Sequence, residues 1–179
     1  MCGIFGFSLG KGLLPTEIND VQDDILEFID LSVMRGSDTF GININSDNKN
    51  YVFKSNLNPK LTTKKKRYKS FITKKLKIAS EKKLFFNYFG QTRLVTNGTK
   101  FLYKNNQPIT VNRLAGVHNG ILFNSDDQTQ TLNKTQNYES FNIKSDSLNF
   151  FEELENKISE NKFSSTECFF EFIKQFTGN

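Results

Sequence analysis

The sequence predicts an α+β domain in which most strands come before most helices. Its 179 residues are the length of one domain with a single core. The hydrophobic fraction of 36% and the charged fraction of 24% are typical of a chain that folds around such a core and argue against disorder. Several predicted strands precede two consecutive C-terminal helices, and this order favours an α+β arrangement over a regular series of βαβ units.

The N-terminal part of the chain is predicted to form a strand followed by a helix. Residues 3–9 are an apolar run followed by a glycine, which is typical of a buried strand. Thr16 is a suitable N-cap, and apolar residues follow it at helical spacing. We expect this helix to end near Met34, because Gly36 is of the type often found just beyond a helix C-terminus.

Two further strands are predicted next. Ile42 and Ile44 alternate with asparagines, as in a strand with one buried face. A polar turn over residues 47–50 then leads to a second strand near residues 51–54.

The positive charge of the chain is concentrated in residues 60–83, which we call the basic insert. The whole chain has a net charge of +5, but the insert holds eleven Lys and Arg residues against one Glu, so the rest of the chain carries −5. One helical face of the insert is apolar and consists of Tyr68, Phe71, Ile72, Leu76 and Ala79. The insert is therefore predicted to be an amphipathic surface helix with its lysines in solvent.

The C-terminal half is predicted to contain short strands and then two helices. The elements are a strand over residues 84–89, a turn at Pro108 with a strand after it, a strand over residues 114–118, and helices over residues 147–160 and 165–176. Residues 124–140 are polar and without periodicity, and are predicted to be a loop. No strand is predicted after the last helix, so we expect the domain to be truncated before its last strands.

Cysteine usage and the N-terminus predict a cytoplasmic protein. Cys2 and Cys168 are too few for a disulfide framework, and Cys168 is predicted to be a buried core thiol. The N-terminus lacks the basic residues and the cleavage site of a secretory signal. No apolar run approaches the ~18–20 residues that a membrane helix needs, so no membrane partner is expected.

The position of Cys2 is the strongest chemical signal in the chain. Methionine aminopeptidases remove Met1 when the second residue is small, and removal would give Cys2 both a thiol and a free α-amine. An α-amine has a pKa of roughly 7.7–8.0, so it can accept the thiol proton and activate the sulfur as a nucleophile. The alternative is that Cys2 is one more small buried thiol.

Five segments, in order along the chain, carry a resemblance to a known family. They are residues 1–6, 35–41, 90–98, 118–121 and 145–147. In these segments, which span essentially the whole chain, the sequence resembles the class II glutamine amidotransferase domains of glucosamine-6-phosphate synthase, phosphoribosyl-pyrophosphate amidotransferase and asparagine synthetase.

This resemblance implies both a fold and an activity. The fold is that of the N-terminal-nucleophile hydrolases, a four-layer αββα sandwich with mostly antiparallel sheets, and residues 1–179 would form one glutaminase domain. The activity is hydrolysis of the side-chain amide of L-glutamine to glutamate and ammonia through a γ-glutamyl thioester on Cys2. The ammonia would pass to a synthase domain, on a C-terminal part of the protein or on a separate chain. No cofactor is implied.

The resemblance also assigns catalytic roles beside Cys2. Asn119 and Gly120 would form the oxyanion hole, through a side-chain amide and a backbone N–H respectively. Arg35 and the loop at Gly36 would orient Cys2 and its amine. Taken alone, Asn119-Gly120 could also be an ordinary hairpin turn, and Arg35 an ordinary residue near the C-terminus of a helix.

Recognition of free glutamine requires one cation for its α-carboxylate and one anion for its α-ammonium group. The resemblance assigns these roles to Arg93 and Asp146, and it adds hydrogen bonds from Thr96 and Asn97. The guanidinium fork of Arg93 suits a carboxylate. Asp146 could also stabilise the N-terminus of the helix that follows it, and the two roles are compatible.

Departures from the family pattern leave the ammonia acceptor open. Sugar-phosphate amidotransferases usually have Trp and His where this chain has Leu94 and Asn97, whereas residues 118–121 match the sugar branch. A sugar phosphate, aspartate and phosphoribosyl pyrophosphate all stay open as acceptors. His118 is the single histidine and is expected to be structural, and the sequence offers no zinc-ligand set.

Three other functions stay open. The chain could be an N-terminal-cysteine amide hydrolase that transfers no ammonia, a module that binds nucleic acid or another polyanion through the basic insert, or a scaffold without activity. Nucleic-acid binding is disfavoured, because the aromatic residues of the insert lie on its apolar face and leave little for base stacking.

Overall fold

The protein combines antiparallel sheets with helices, and the computed structural model describes residues 2–10, 12–46, 49–82, 85–95, 100–124, 145–160 and 166–178. The strands are β1 (Gly3–Leu9), β2 (Thr39–Ser46), β3 (Lys49–Ser55), β4 (Phe86–Arg93), β5 (Ile109–Val111), β6 (Leu114–Gly116), β7 (Leu122–Asn124) and β8 (Phe176–Gly178). The α-helices are α1 (Ile18–Val33), α2 (Pro59–Thr63), α3 (Lys66–Glu81), α4 (Asp146–Ser159) and α5 (Thr166–Lys174). All strand pairs among these elements are antiparallel, which confirms the predicted α+β class.

The site is positioned by a four-stranded sheet with the strand order β1-β4-β2-β3. Its register pairs Gly3 with Thr92 and Thr39 with Arg93. The start of β1, the start of β2 and the end of β4 therefore lie at the same end of the sheet. Cys2, the residue before β1, is thereby brought close to the point where β4 ends.

One face of this sheet is apolar and is covered by α1 and α3. Phe40, Ile42 and Ile44 alternate along β2 and point to this face, where each is at most 1% exposed. They pack in one cluster with Ile25 and Ile29 of α1, which are also fully buried. Buried residues recur at every second position of the strand and about every 3.6 positions of the helix, and both sets belong to one core.

The basic insert forms two helices, α2 and α3, and not the single helix predicted. Pro59 begins α2, and the side chain of Asn58 caps it by accepting a hydrogen bond from the Lys60 N–H at 2.9 Å. The predicted apolar face is confirmed in α3, whose buried residues are Tyr68, Ile72, Leu76, Ala79 and Ser80. The insert is therefore part of the core on one side and a lysine-rich surface on the other.

The opposite face of the sheet is polar and carries the segment that runs from residue 105 to residue 118. Gly41 makes this approach possible, because a Cβ at that position would overlap the carbonyl oxygen of Gln107. The alternating pattern of β2 predicts a strand with one buried face. Asn43 on the opposite face is also fully buried, so β2 is covered on both faces. The β5–β6 hairpin follows this segment, and α4 packs against β5 and β6.

The prediction that Thr16 caps α1 is wrong. Thr16 lies within a 3-10 turn over Pro15–Glu17, and α1 begins at Ile18 without a side-chain cap. The carboxylate of Glu17 accepts a hydrogen bond from the Leu14 N–H at 2.9 Å, and the fixed φ of Pro15 favours a tight turn here. The predicted end of the helix at Met34 is confirmed, because Met34 is the C-cap of α1.

The C-terminal end of the chain also differs from the prediction. Residues Phe176–Gly178 form β8, which pairs with β7, whereas no strand is predicted after the last helix. Cys168 on α5 is half-buried and not a fully buried core thiol, whereas Phe172 of the same helix is 3% exposed. The predicted loop over residues 124–140 lies outside the described residues except for Asn124, which ends β7.

The remaining strand predictions are confirmed with shifted ends. β1 and β3 contain the predicted ranges, β4 extends from the predicted strand to Arg93, and β6 stops at Gly116. Within the described parts of the chain, no helix is long and apolar enough to cross a membrane.

The Leu76→Ala variant tests whether the basic insert is part of the core. Leu76 is 0% exposed, so its truncation should lower the free energy of unfolding by about 2–5 kcal/mol. The matched control is Leu61→Ala in α2, where the side chain is 58% exposed and the expected change is within about 0.5 kcal/mol. Urea unfolding followed by circular dichroism measures both, and equal effects would contradict a core role for α3.

Candidate active site

Cys2 is fixed at the sheet edge by a close approach between β1 and the end of α1. A Cβ at Gly3 would lie 2.7 Å from the Ser32 carbonyl oxygen and 2.8 Å from Thr92 Oγ1. The Thr92 hydroxyl donates to the same Ser32 carbonyl at 2.7 Å. Residue 3 must therefore be glycine for the last turn of α1 to pack here, and this packing holds the half-buried Cys2 next to it.

Asn119 binds the backbone of Cys2 through two reciprocal hydrogen bonds. The backbone nitrogen of Cys2 donates to Asn119 Oδ1 at 3.1 Å, and Asn119 Nδ2 donates to the Cys2 carbonyl at 2.9 Å. A side-chain amide nitrogen carries two hydrogens, so this contact uses one of them. Asn119 thus accepts a hydrogen bond from the Cys2 nitrogen and keeps one side-chain N–H close to Cys2. The exposed Gly120 follows Asn119 directly.

The thiol of Cys2 faces the backbone that follows β4. Its Sγ lies 3.7 Å from the carbonyl oxygen of Leu94. Gly36 packs on that backbone, since a Cβ at residue 36 would lie 2.5 Å from the Leu94 nitrogen. Asp38 holds the same segment, donating its N–H to the Arg93 carbonyl at 2.9 Å and accepting from the Val95 N–H at 2.9 Å.

The segment expected beside Cys2 therefore contacts the backbone that faces the thiol, through the loop at Gly36 that is expected to act together with Arg35, and through Asp38. Gly36 and Asp38 contact the backbone that faces the Cys2 thiol, whereas Arg35 is exposed beyond the C-terminus of α1. The described partner of the Cys2 nitrogen is Asn119. The orienting role predicted for Arg35 stays a prediction.

Arg93 is a buried cation at the end of β4, with 6% of its surface exposed. Its Nη1 donates to the Asn105 carbonyl and to Asn106 Oδ1, both at 3.1 Å. Burial lowers the pKa of Arg93, and negative charge on Cys2, Asp146 and Asp38 acts in the opposite direction. Since a guanidinium stays protonated in proteins, the site holds a permanent positive charge within electrostatic reach of Cys2.

Asp146 is the first residue of α4 and faces the chain beyond Asn119. Its Oδ2 accepts a hydrogen bond from the Leu122 N–H at 2.8 Å. The helix is capped by Ser145, whose Oγ accepts from the Leu148 N–H at 3.2 Å. The N–H of Ser145 in turn donates to Asn105 Oδ1 at 2.9 Å. Asp146 is therefore a helix N-terminal acid, as the alternative interpretation has it, and also lies in the site.

A buried amide network joins these parts and is not predicted from the sequence. His118 donates its N–H to Gln107 Oε1 at 2.6 Å, and its carbonyl accepts from Gln107 Nε2 at 2.9 Å and from Gln91 Nε2 at 2.7 Å. His118 Nδ1 lies 2.9 Å from Ser147 Oγ. The signal that could have found Gln91 is its position in β4, where strand alternation directs it to the polar face of the sheet.

The structure thus brings together four of the eight predicted site residues, namely Cys2, Asn119, Arg93 and Asp146, with Gly120 adjoining them. Thr96 and Asn97 lie outside the described residues, and Arg35 is exposed. Asn105 and Asn106 hold Arg93 and were missed. Among the described residues, no group of three or more His, Cys, Asp or Glu side chains is arranged to hold a metal ion. Comparison with protein-family models, curated proteins and solved structures finds no match.

The single histidine provides a test of this arrangement. Burial lowers the pKa of His118, and the charge of Asp146 raises it by a smaller amount. NMR titration should give a pKa below the ordinary 6.5, and Asp146→Asn should lower it further, whereas the exposed Asp20→Asn should leave it unchanged. Because the unfolded chain binds this proton at higher pH, the free energy of unfolding should fall as the pH drops from 6.5 towards the folded-state pKa. A pKa at or above 6.5 would contradict the geometry.

Proposed function

We propose that the protein hydrolyses the side-chain amide of L-glutamine, using Cys2 as the nucleophile. The observation that carries the proposal is the convergence of four residues from separate segments. Cys2 is bound to Asn119, and Arg93 is within electrostatic reach of both Cys2 and Asp146. The resemblance of the same segments to class II glutamine amidotransferases supports the same activity.

The first half of the reaction follows from the chemistry of an N-terminal cysteine. Once Met1 is removed, the α-amine of Cys2 accepts the thiol proton, and the sulfur attacks the side-chain amide carbon of glutamine. The carbonyl oxygen becomes an oxyanion, which the second Asn119 N–H and the Gly120 backbone N–H can stabilise. The α-amine then gives this proton to the departing amide nitrogen as the C–N bond breaks. Ammonia departs, and a γ-glutamyl thioester remains on Cys2.

The second half releases glutamate. A water molecule gives a proton to the α-amine and attacks the thioester carbon. The C–S bond breaks, the sulfur recovers a proton, and free glutamate departs. Asn119 Oδ1 accepts a hydrogen bond from the Cys2 nitrogen, so the same contact that holds the residue also orients the base in both steps.

The buried Arg93 and the half-buried Asp146 are proposed to recognise free glutamine. The α-carboxylate binds the guanidinium of Arg93, and the α-ammonium group binds Asp146. A zwitterion adds no net charge to the pocket, and its carboxylate would offset the desolvation cost of the buried Arg93. Thr96 and Asn97 are proposed to add hydrogen bonds to the same head group.

The released ammonia is proposed to serve a synthase domain, on a C-terminal part of the protein or on a separate chain. A sugar phosphate, aspartate and phosphoribosyl pyrophosphate are the acceptor classes that the resemblance leaves open. The four-layer N-terminal-nucleophile fold is proposed from the same resemblance, and a cytoplasmic location is proposed from the cysteine usage and the N-terminus. The fold is supported by helices α1 and α3 on one face of the main sheet and by the hairpin with α4 on the other side.

Labelling with a diazo-ketone analogue of glutamine tests the nucleophile. We expect one adduct on Cys2 in protein that has lost Met1, detected by mass spectrometry of the intact chain and its peptides. Cys2→Ser should abolish the adduct, and Cys168→Ser should leave it unchanged. Labelling of Cys168 alone, or of neither cysteine in the processed protein, would overturn the proposal.

Substitution of Arg93 tests the substrate. Arg93→Lys keeps the charge but loses the two-pronged contact, and Arg93→Ala loses both. Because a hydrogen bond to a charged group contributes roughly 1.5–3 kcal/mol, KM for glutamine should rise by about tenfold or more in Arg93→Ala and by less in Arg93→Lys. Arg113→Ala, an exposed arginine in the turn between β5 and β6, is the matched control. An unchanged KM in Arg93→Ala would favour an amide hydrolase that does not read the α-carboxylate.

Removal of the Asn119 side chain tests the oxyanion role. Asn119→Ala should lower kcat by roughly 10²–10³-fold, the effect of losing one such donor in other enzymes. Steady-state measurement of glutamate release gives the value. A change confined to KM would instead assign Asn119 to substrate binding.

A further inference from the structure

A second pocket, lined with positive charge, lies behind the residues that hold Arg93. Its volume is about 470 Å³, and it is bounded by the end of β3, the chain leading into α3 and the segment around Tyr103. Four cationic side chains line it, Lys54, Lys65, Arg67 and Lys100, and no carboxylate is among its lining residues. A cavity of this size falls within the range of roughly 300–1,000 Å³ that holds small ligands.

Lys54 distinguishes this pocket from the exposed lysines of the basic insert. Only 7% of its surface is exposed. Its Nζ lies 3.4 Å from the Tyr103 carbonyl oxygen and 4.7 Å from the centre of the Tyr103 ring. Among the described residues, no carboxylate forms an ion pair with it. Burial lowers the pKa of Lys54 to about 8, which reflects the cost of holding an ammonium group here without a counter-charge.

Two of the other cations, Lys65 and Arg67, lie at a helix N-terminus. Lys65 is the N-cap of α3 and Arg67 is in its first turn. The unpaired N–H groups of a first turn and the helix dipole favour an anion at this end, and an arginine fork can bind two oxygens of one phosphate. Lys100 completes the set, with its Nζ 5.6 Å from the centre of the exposed Phe101 ring.

We propose that this pocket binds the phosphate group of a small phosphorylated molecule. Four cations without a lining carboxylate match a dianion better than a single carboxylate. The enclosed position of Lys54 favours a small ligand over a nucleic acid, which would contact the outer lysines. The rings of Tyr103 and Phe101 supply an apolar surface for the organic part of the ligand.

The pocket shares one residue with the candidate active site. Asn106 lines the pocket, its Oδ1 accepts from Arg93 at 3.1 Å, and its Nδ2 donates to the Lys100 carbonyl at 2.6 Å. A ligand that binds Lys100 therefore also restrains the residue that holds Arg93. The ligand is thus an effector that favours glutamine binding, and this second part rests on the proposed function.

Calorimetric titration of the whole chain with glycerol 3-phosphate, with glycerol and with inorganic phosphate tests the pocket without any enzyme assay. Both phosphates should bind and glycerol should not. Arg67→Ala and Lys54→Met should each weaken binding by about tenfold or more. Lys54→Met also replaces a buried charge by an apolar side chain, which proteins generally tolerate; thermal unfolding should show a folded variant that phosphate no longer stabilises.

The matched control is Lys77→Ala, which removes the same charge from an exposed position of α3 outside the pocket. Its affinity for glycerol 3-phosphate should equal that of the unsubstituted chain. An equal loss in Lys77→Ala and Arg67→Ala, or binding of a single-stranded oligonucleotide but not of glycerol 3-phosphate, would overturn the proposal in favour of diffuse surface attraction.

The effector role has a separate readout. Glycerol 3-phosphate should at least double the rate at which a subsaturating diazo-ketone analogue labels Cys2, and Asn106→Ala should remove the increase. An unchanged rate despite Arg67-dependent binding would overturn the effector role alone. Absence of labelling with and without the phosphate would count against the proposed function, while the calorimetric result would still decide whether the pocket binds phosphate.

Discussion

The pairing of Gln107 with His118 is the contact on which the candidate active site depends. The carboxamide of Gln107 satisfies both backbone groups of His118, at 2.6 and 2.9 Å, and Gln91 adds a second donor at 2.7 Å. These bonds join β4 to two segments that are distant in sequence. Because buried polar groups are costly to leave unpaired, the network holds the following residue, Asn119, at the backbone of Cys2.

Arg93 and Lys54 are buried cations on the same side of the main sheet, and their electrostatic surroundings differ. Arg93 is within electrostatic reach of Asp38 and Asp146, so the proposed zwitterionic substrate would leave the net charge around Arg93 unchanged. Lys54 has a carbonyl oxygen and an aromatic ring beside it, and an anion would improve its surroundings. Asn106 contacts Arg93 and also lines the pocket that contains Lys54. The position of Arg93 is therefore coupled to the occupancy of that pocket.

The net charge of the chain does not show how its charged residues are distributed over the fold. The basic insert carries eleven of the 24 Lys and Arg residues of the chain, while its Tyr68, Ile72 and Leu76 belong to the same core as α1 and the main sheet. The insert could not be removed without exposing that core. The predicted apolar face of the insert is confirmed because periodicity reports burial directly; its division into two helices depends on Pro59 and its Asn58 cap, which a single helical pattern does not show.

The sequence by itself determined the elements whose pattern is local, such as β1, β3 and the buried face of α3, and it singled out Cys2 with its chemically matched partners by residue type and order. Only the tertiary structure decided which residues hold those partners in place. Gln91 and Gln107 act through hydrogen bonds to a distant backbone, and β8 exists because β7 supplies its ladder. Such contacts leave no periodic trace in the chain, since each depends on where another segment folds.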